Sequence, residues 1–174
     1  MKRIAIDMDD VIADAAGRFI EYAQLRLGKT IAPVDLHNRT WAEVAGVQPE
    51  IVRAWLFEEG FFRGMKVIAD SQEVIKKLSE KYEIFIVSAA TEFPNSLKEK
   101  LEWLNEHFPF ISWTHTVFCG HKYMIQTDYL IDDHEKNLIR FPGKPILFTA
   151  GHNMHLDQYT RVNNWKEAEK MFLS

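Results

Sequence analysis

Cysteine is almost absent from this chain: Cys119 is the only one in 174 residues. An intrachain disulfide and a cysteine-based zinc site are therefore excluded. Long apolar runs are missing too, and none approaches the length of a membrane span. Positive charge is in deficit, with 21 Lys and Arg against 25 Asp and Glu, a formal net charge of −4 and no basic run or stripe. That balance argues against a nucleic-acid polymer or an anionic membrane surface as partner. Internal repeats and low-complexity stretches do not occur. Met1-Lys2-Arg3 leads at once into a strand only a few residues long, too short for a signal-peptide core. A soluble cytoplasmic protein is the expectation.

What is present is enough apolar material for one respectable core: 47% hydrophobic and 13% aromatic residues. The most telling stretch is Lys2-Arg3-Ile4-Ala5-Ile6-Asp7-Met8-Asp9-Asp10. Apolar residues face both ways along it, as in a parallel strand covered on both sides. Asp7 and Asp9, two residues apart, share one face at its carboxyl end, where open α/β sheets place their chemistry. Adjacent carboxylates repel, so the pair calls for a cation or a shared proton. A solvated turn is the ordinary alternative for Asp-x-Asp-Asp. A calcium loop is excluded, because Val11 stands where an oxygen ligand is needed and no Gly or distal Glu follows in register.

Strands then alternate with helices, with one interruption. Helical spacing covers 14–28, with Ala15, Phe19, Tyr22, Ala23 and Leu27 near one face and Gly28 as the stop. Residues 29–66 break the rhythm with Pro33, Pro49, the polar turn His37-Asn38-Arg39-Thr40 and a helical stretch at 49–58. From 71 the order is helix 71–81, strand 83–88, helix 94–107, strands 114–119, 128–131 and 145–149, and helix 164–173. Ser71 and Asn164, or Asn163, read as N-caps. The pattern predicts a mostly parallel sheet with helices on both faces, and a helical cap inserted after the first strand. The core is expected over 1–13 and 67–174, the cap over 14–66.

Four polar signals fall at or beside strand ends: Asp7/Asp9, Ser88, Lys122 and Asp132-Asp133. Singly, each is an ordinary turn, cap or surface residue. In this order the set resembles the haloacid dehalogenase superfamily of phosphotransferases, with Asp-x-Asp, Ser/Thr, Lys and a terminal acidic pair. Asp7-Met8-Asp9, Leu130-Ile131-Asp132-Asp133 and Ile146-Leu147-Phe148-Thr149-Ala150-Gly151-His152-Asn153 with His155 further resemble the 5′(3′)-deoxyribonucleotidase family, which also carries a small helical cap. The resemblance spans nearly the whole chain and is weakest in the cap. It implies a three-layer Rossmann-like fold and a Mg²⁺-dependent phosphomonoesterase acting on (deoxy)ribonucleoside monophosphates.

The resemblance also assigns roles. Asp7 would be the nucleophile forming an aspartyl-phosphate. Asp9 would protonate the leaving oxygen and then activate water. Asp7, the backbone carbonyl of Asp9 and Asp133 would hold Mg²⁺, an all-oxygen site, with Asp132 behind them. Ser88, Ala89 and Lys122 would hold the phosphoryl oxygens. A homodimer is compatible with the resemblance. Asp10 stands where the superfamily often has Gly and is expected to point away from the metal. His134 occupies a position where related enzymes often carry Arg, and Ala89-Ala90-Thr91 replaces a more polar run; both positions adjoin the substrate.

Phe19, Trp41, Phe61 and Phe62 are the candidates for stacking on a nucleobase, each weighed against simple packing inside the cap. His152 and His155 form a His-x-x-His without a third ligand in sequence. A loop fixed near the site by His152 and Asn153 fits them better than zinc. Cys119 reads as an ordinary buried thiol. Two rivals stand beside this reading: a phosphatase of another small phosphate, such as a sugar phosphate, and a non-catalytic receiver-like module. In a receiver, however, the Lys follows the acidic groups, whereas Lys122 precedes Asp132.

Overall fold

A computed structural model describes residues 1–174. Its central sheet has six strands, β1 (Lys2–Ile6), β4 (Tyr82–Ser88), β5 (Thr116–Phe118), β6 (Tyr129–Asp132), β7 (Lys144–Phe148) and β8 (Thr160–Val162), in the order β5-β4-β1-β6-β7-β8. Every pairing is parallel. All carboxyl ends therefore meet at one edge, with β1 at the centre between β4 and β6. Ile4 and Ile6 join a large core on one face, with Ile84, Ile86, Trp165 and Phe172. Ala5 joins Val87, Leu130, Leu138 and Leu147 on the other. Burial on both faces explains why these strands read as continuous apolar runs.

The helices are α1 (Ala15–Leu27), α2 (Trp41–Ala45), α3 (Pro49–Trp55), α4 (Ser71–Leu78), α5 (Pro94–His107), α6 (Glu135–Leu138) and α7 (Trp165–Leu173). In α1, Ala15, Phe19, Tyr22 and Ala23 are buried, and the helix ends on Gly28 at φ 64°, the left-handed conformation that Gly adopts at least cost. Leu27 lies off that face and is exposed. Asn164 caps α7 by accepting from the Glu167 amide. Ser71 does not cap α4; Asp70 holds the cap position at φ 65°, and the Ser71 hydroxyl donates to the Ile68 carbonyl. The helix expected to reach residue 81 stops at Leu78, and the strand expected over 114–119 is confined to Thr116–Phe118 by a 3-10 turn at Trp113–His115. Strand β8, at the sheet edge, was not anticipated; three residues are too few to set up an alternation.

Beyond β1 the chain makes a tight turn in which the Ile12 and Ala13 amides both donate to the Met8 carbonyl, each at 2.9 Å. It then enters a two-stranded antiparallel ribbon of β2 (Ala13–Asp14) and β3 (Lys66–Val67). The helical segment between these strands sits over the carboxyl edge of the sheet and is fastened on two sides. On one side an i, i+4, i+8 row of α5 takes hold of its return stretch. Asn95 Nδ2 donates to the Leu56 and Glu58 carbonyls at 3.1 Å each, Glu99 accepts from the Gly60 and Arg63 amides at 2.7 and 3.0 Å, and Trp103 Nε1 donates to the Met65 carbonyl at 2.8 Å. On the other side Asn38 donates its amide to the Gly151 carbonyl at 2.9 Å and accepts the His155 amide at 3.0 Å. A Cβ on Gly151 would lie 3.0 Å from that of Leu36, a contact that would require Leu36 to give by a few tenths of an ångström.

Candidate active site

The ends of β1, β4 and β6 and the turn before β6 converge under the cap. Asp7 continues the ladder past β1, its amide donating to the Ile131 carbonyl at 2.9 Å. Lys122, on the 3-10 turn Lys122–Met124, is buried and donates to Asp7 Oδ1 and, at 2.6 Å, to Asp132 Oδ2. Burial alone would lower the lysine pKa, but the charges of Asp132 and Asp7 outweigh it and hold the ammonium above its ordinary range. Asp132 is fully buried and has its second oxygen bonded by the His134 amide at 2.8 Å and Asn137 Nδ2 at 3.0 Å. It is thus walled off behind Asp7 rather than facing the cavity.

Asp9 and Asp133 each keep one carboxylate oxygen, Oδ1, buried without a hydrogen-bond partner. Burial, then the charges of Asp7, Asp132 and Asp10, push the Asp133 carboxyl well above its usual range. Carboxylate oxygens of Asp7, Asp132 and Asp133 lie within 4.8 Å of one another. Orphaned carboxylate oxygens in an all-oxygen cluster suit a small hard dication, which would relieve the repulsion that raises Asp133. Asp10, at φ 55°, turns its Oδ1 to the Ala16 amide at 2.8 Å, away from that cluster, as expected. Its carboxyl is pushed up to about 7 by burial and then by the charges of Asp9, Asp14 and Asp7, against the lowering effect of the Ala16 amide.

The loop after β7 holds the Asp133 backbone. Asn153 Nδ2 donates to the Asp133 carbonyl at 2.8 Å, and His152 Nε2 lies 3.1 Å from the same oxygen and 3.2 Å from Asp133 Oδ2. His134 stacks on His152 with ring centroids 4.3 Å apart. Burial, reinforced by the charge of His134, pushes His152 down to about 4, so it is neutral near pH 7. His155 is not part of this group; its Nδ1 faces Asn38 Oδ1 at 2.9 Å.

Sequence reasoning missed Lys100. On the buried face of α5, its Nζ lies 2.5 Å from Asp9 Oδ2 and 3.0 Å from Ser88 Oγ, and 4.8 Å from the centre of the Phe62 ring. No sequence signal marked it: Ser96, Glu99, Lys100, Trp103 and Leu104 share the buried face, while Leu97 and Leu101 are exposed.

A cavity of about 170 Å³ opens over this floor. Asp7, Asp9, Lys122 and Asp133 form its base with Ala89 and His134, and Trp41, Phe61 and Phe62 contribute to its walls. Phe19 does not line it. Its ring is fully buried behind Trp41, stacked 4.9 Å away at 8°, because the inner face of α1 packs into the cap's own core. Ser88 is buried beneath Lys100 and does not line the cavity. Cys119 is half-buried rather than buried, and burial pushes its thiol up.

Comparison with known proteins agrees with this architecture. Residues 1–174 match the family described as 5′ nucleotidase, deoxy (pyrimidine), cytosolic type C protein. The chain is 40% identical to the 5′(3′)-deoxyribonucleotidase of Bacillus subtilis (strain 168) over 172 residues, covering 99% of both chains. It is 44% identical to a Staphylococcus aureus (strain Mu50) protein that carries the same name provisionally, over 99% of this chain and 96% of that one. Among solved structures, a haloacid dehalogenase-like protein from Agrobacterium tumefaciens superposes with a TM-score of 0.64 at 13% identity, covering 99% of this chain and 98% of that chain. A haloacid dehalogenase family hydrolase from Deinococcus radiodurans, crystallised with phosphate and sodium, gives 0.62 at 14% identity over 97% and 93%. These two likenesses concern the fold. No helix here is long and apolar enough to cross a membrane.

Proposed function

Because this chain belongs to the 5′-nucleotidase, deoxy (pyrimidine), cytosolic type C family and is a nucleotide phosphatase of the haloacid dehalogenase type, we propose that it hydrolyses deoxyribonucleoside monophosphates through an aspartyl-phosphate on Asp7. One observation carries the assignment of roles: the two carboxylates at the end of β1 have different environments. Asp7 is buried against the Lys122 ammonium, which holds its carboxylate in a fixed orientation, as a nucleophile requires. Asp9 faces the cavity with one oxygen on Lys100 and the other unpartnered.

In the first step an Asp7 oxygen bonds to phosphorus as the ester P–O bond breaks, and Asp9 gives its proton to the departing alkoxide. In the second, Asp9 takes a proton from water whose oxygen attacks the same phosphorus, releasing inorganic phosphate and restoring the Asp7 carboxylate. Lys122 holds a phosphoryl oxygen. Ser88 accepts from Lys100, which leaves its own hydroxyl proton to donate, and the Ala89 backbone lies at the cavity base. Asp7, Asp133 and the Asp9 carbonyl would hold Mg²⁺, with Asp132 behind them. When bound, the ion supplies positive charge that offsets the phosphate dianion. Trp41, Phe61 and Phe62 offer a flat apolar wall to the nucleoside, where an unpaired ribose hydroxyl is costly to bury. His134 lies beside the phosphate position.

The cap, over 14–66, is the substrate-facing unit and the remaining chain the catalytic one. We place the activity in the cytoplasm, where a lone thiol stays reduced; the homodimer rests on the family resemblance.

The test is phosphate release from 5′ and 3′ deoxy- and ribonucleotides and sugar phosphates, with Mg²⁺ or EDTA. Mg²⁺-dependent turnover favouring deoxynucleotides supports the reading. Turnover of sugar phosphates alone overturns the substrate class.

A further inference from the structure

Helix α5 carries two neighbouring buried residues of opposite charge, Glu99 and Lys100, 5% and 2% exposed. Their side chains serve different parts of the protein. Lys100 holds the floor of the cavity, at Asp9 and Ser88. Glu99 reaches the cap, where its two oxygens separately take the Gly60 and Arg63 amides at 2.7 and 3.0 Å. The turn bracketed by those amides carries Phe61 and Phe62, two of the cavity's aromatic walls. Burying a carboxylate is costly unless its lone pairs are satisfied, and here both oxygens accept from backbone. An apolar residue at this position would leave those two amides unpaired, so the acid holds the turn at a defined place.

We propose that Glu99 is a specificity-determining positioning residue: by gripping the Gly60 and Arg63 amides it fixes the Phe61–Phe62 wall at one distance from Asp7 and Asp9, and so favours phosphate esters of a bulky, flat alcohol over small ones. The helix acts as a ruler between the reacting carboxylates and the surface that recognises the leaving group. Asn95 supports the same stretch one turn earlier through the Leu56 and Glu58 carbonyls. Lys100 also meets the wall, at the Phe62 ring, but its hydrogen bonds run to Asp9 and Ser88, so these hold the hydrolytic groups in place when the turn shifts. This inference rests on the proposed nucleotide substrate and deepens it.

The test uses Glu99→Gln, in which one accepting oxygen becomes an amide donor facing an N–H group, and Asn95→Ala. Initial rates with Mg²⁺ are measured for a deoxynucleoside 5′-monophosphate and for ethyl phosphate, a small ester without a ring, beside the thermal midpoint of each variant. The expected result is a rise of about tenfold in KM for the nucleotide in Glu99→Gln. With ethyl phosphate, kcat/KM should stay within about threefold of the parent, so that the selectivity ratio collapses. Asn95→Ala should move the ratio the same way by a smaller factor, and it decides the matter if Glu99→Gln does not fold. Parallel loss on both substrates, or an unchanged ratio, overturns the role of Glu99. A parent enzyme without preference for the nucleotide overturns the substrate reading instead.

Discussion

The ammonium of Lys100 lies 2.5 Å from the Asp9 carboxylate, on a helix that begins six residues after Ser88, and the same nitrogen lies 3.0 Å from the Ser88 hydroxyl. One cation thus ties two elements of the site together. Lys100→Met keeps most of the length of the side chain and removes the charge. It should lower kcat about 10- to 100-fold, for small and large substrates alike, because Asp9 loses the group that orients it. Unchanged turnover in a folded variant would show that Lys100 serves packing alone.

Asp7→Asn should abolish turnover and phosphoenzyme formation while preserving the fold, since the amide is nearly isosteric but lacks the nucleophilic oxygen pair. Rapid-quench trapping of labelled phosphate on the protein measures this directly. Residual burst formation in the variant would move the nucleophile elsewhere.

Metal and proton compete for the same acidic cluster. The raised carboxyls of Asp133 and of Asp10, the latter at about 7, mean that the metal-free folded protein holds protons the unfolded chain has already lost. Its stability is therefore lost as pH rises through those values. His152, lowered to about 4, acts in the opposite sense, but only below the ordinary histidine range. From about pH 6.5, where the histidine contribution ends, up through about pH 7, where Asp10 ionises, the carboxyls dominate, so the rise in Tm produced by Mg²⁺ over EDTA should grow with pH. A metal-induced rise that is flat across that window would place the ion elsewhere.

Trp41 and Phe19 stack on each other yet should fail differently. Trp41→Ala removes a cavity wall and should raise nucleotide KM about tenfold, in line with roughly 1–3 kcal/mol for a stacked base. Phe19→Ala empties a buried site and should cost about 3–5 kcal/mol of stability, with selectivity unchanged in the folded protein. Denaturation curves beside KM values separate the two; a selectivity change in Phe19→Ala would contradict the assignment.

Much of the sheet and the floor of the site could be read from sequence because their residues announce themselves locally. Asp7, Asp9, Ser88 and Asp133 follow apolar runs, and although each alone reads as an ordinary turn or cap residue, their order along the chain marks them as a set. Asp132 and Phe19 could be named but not oriented, since which atoms face a cavity depends on packing across distant segments. Glu99 and Lys100 were hidden for a different reason. On α5 the leucines at 97 and 101 face outward while an acid and a base face inward, the reverse of the usual amphipathic pattern. The grip of Asn38 on the Gly151–His155 stretch joins segments more than a hundred residues apart and leaves no local mark.

The ribbon of β2 and β3 places Ala13 opposite Val67 and Asp14 opposite Lys66. The chain leaves the sheet and returns to it through the same doorway, so the span between is a detour whose length the sheet does not feel. Grafting a different span onto these two strands would therefore preserve the reaction centre while changing what reaches it.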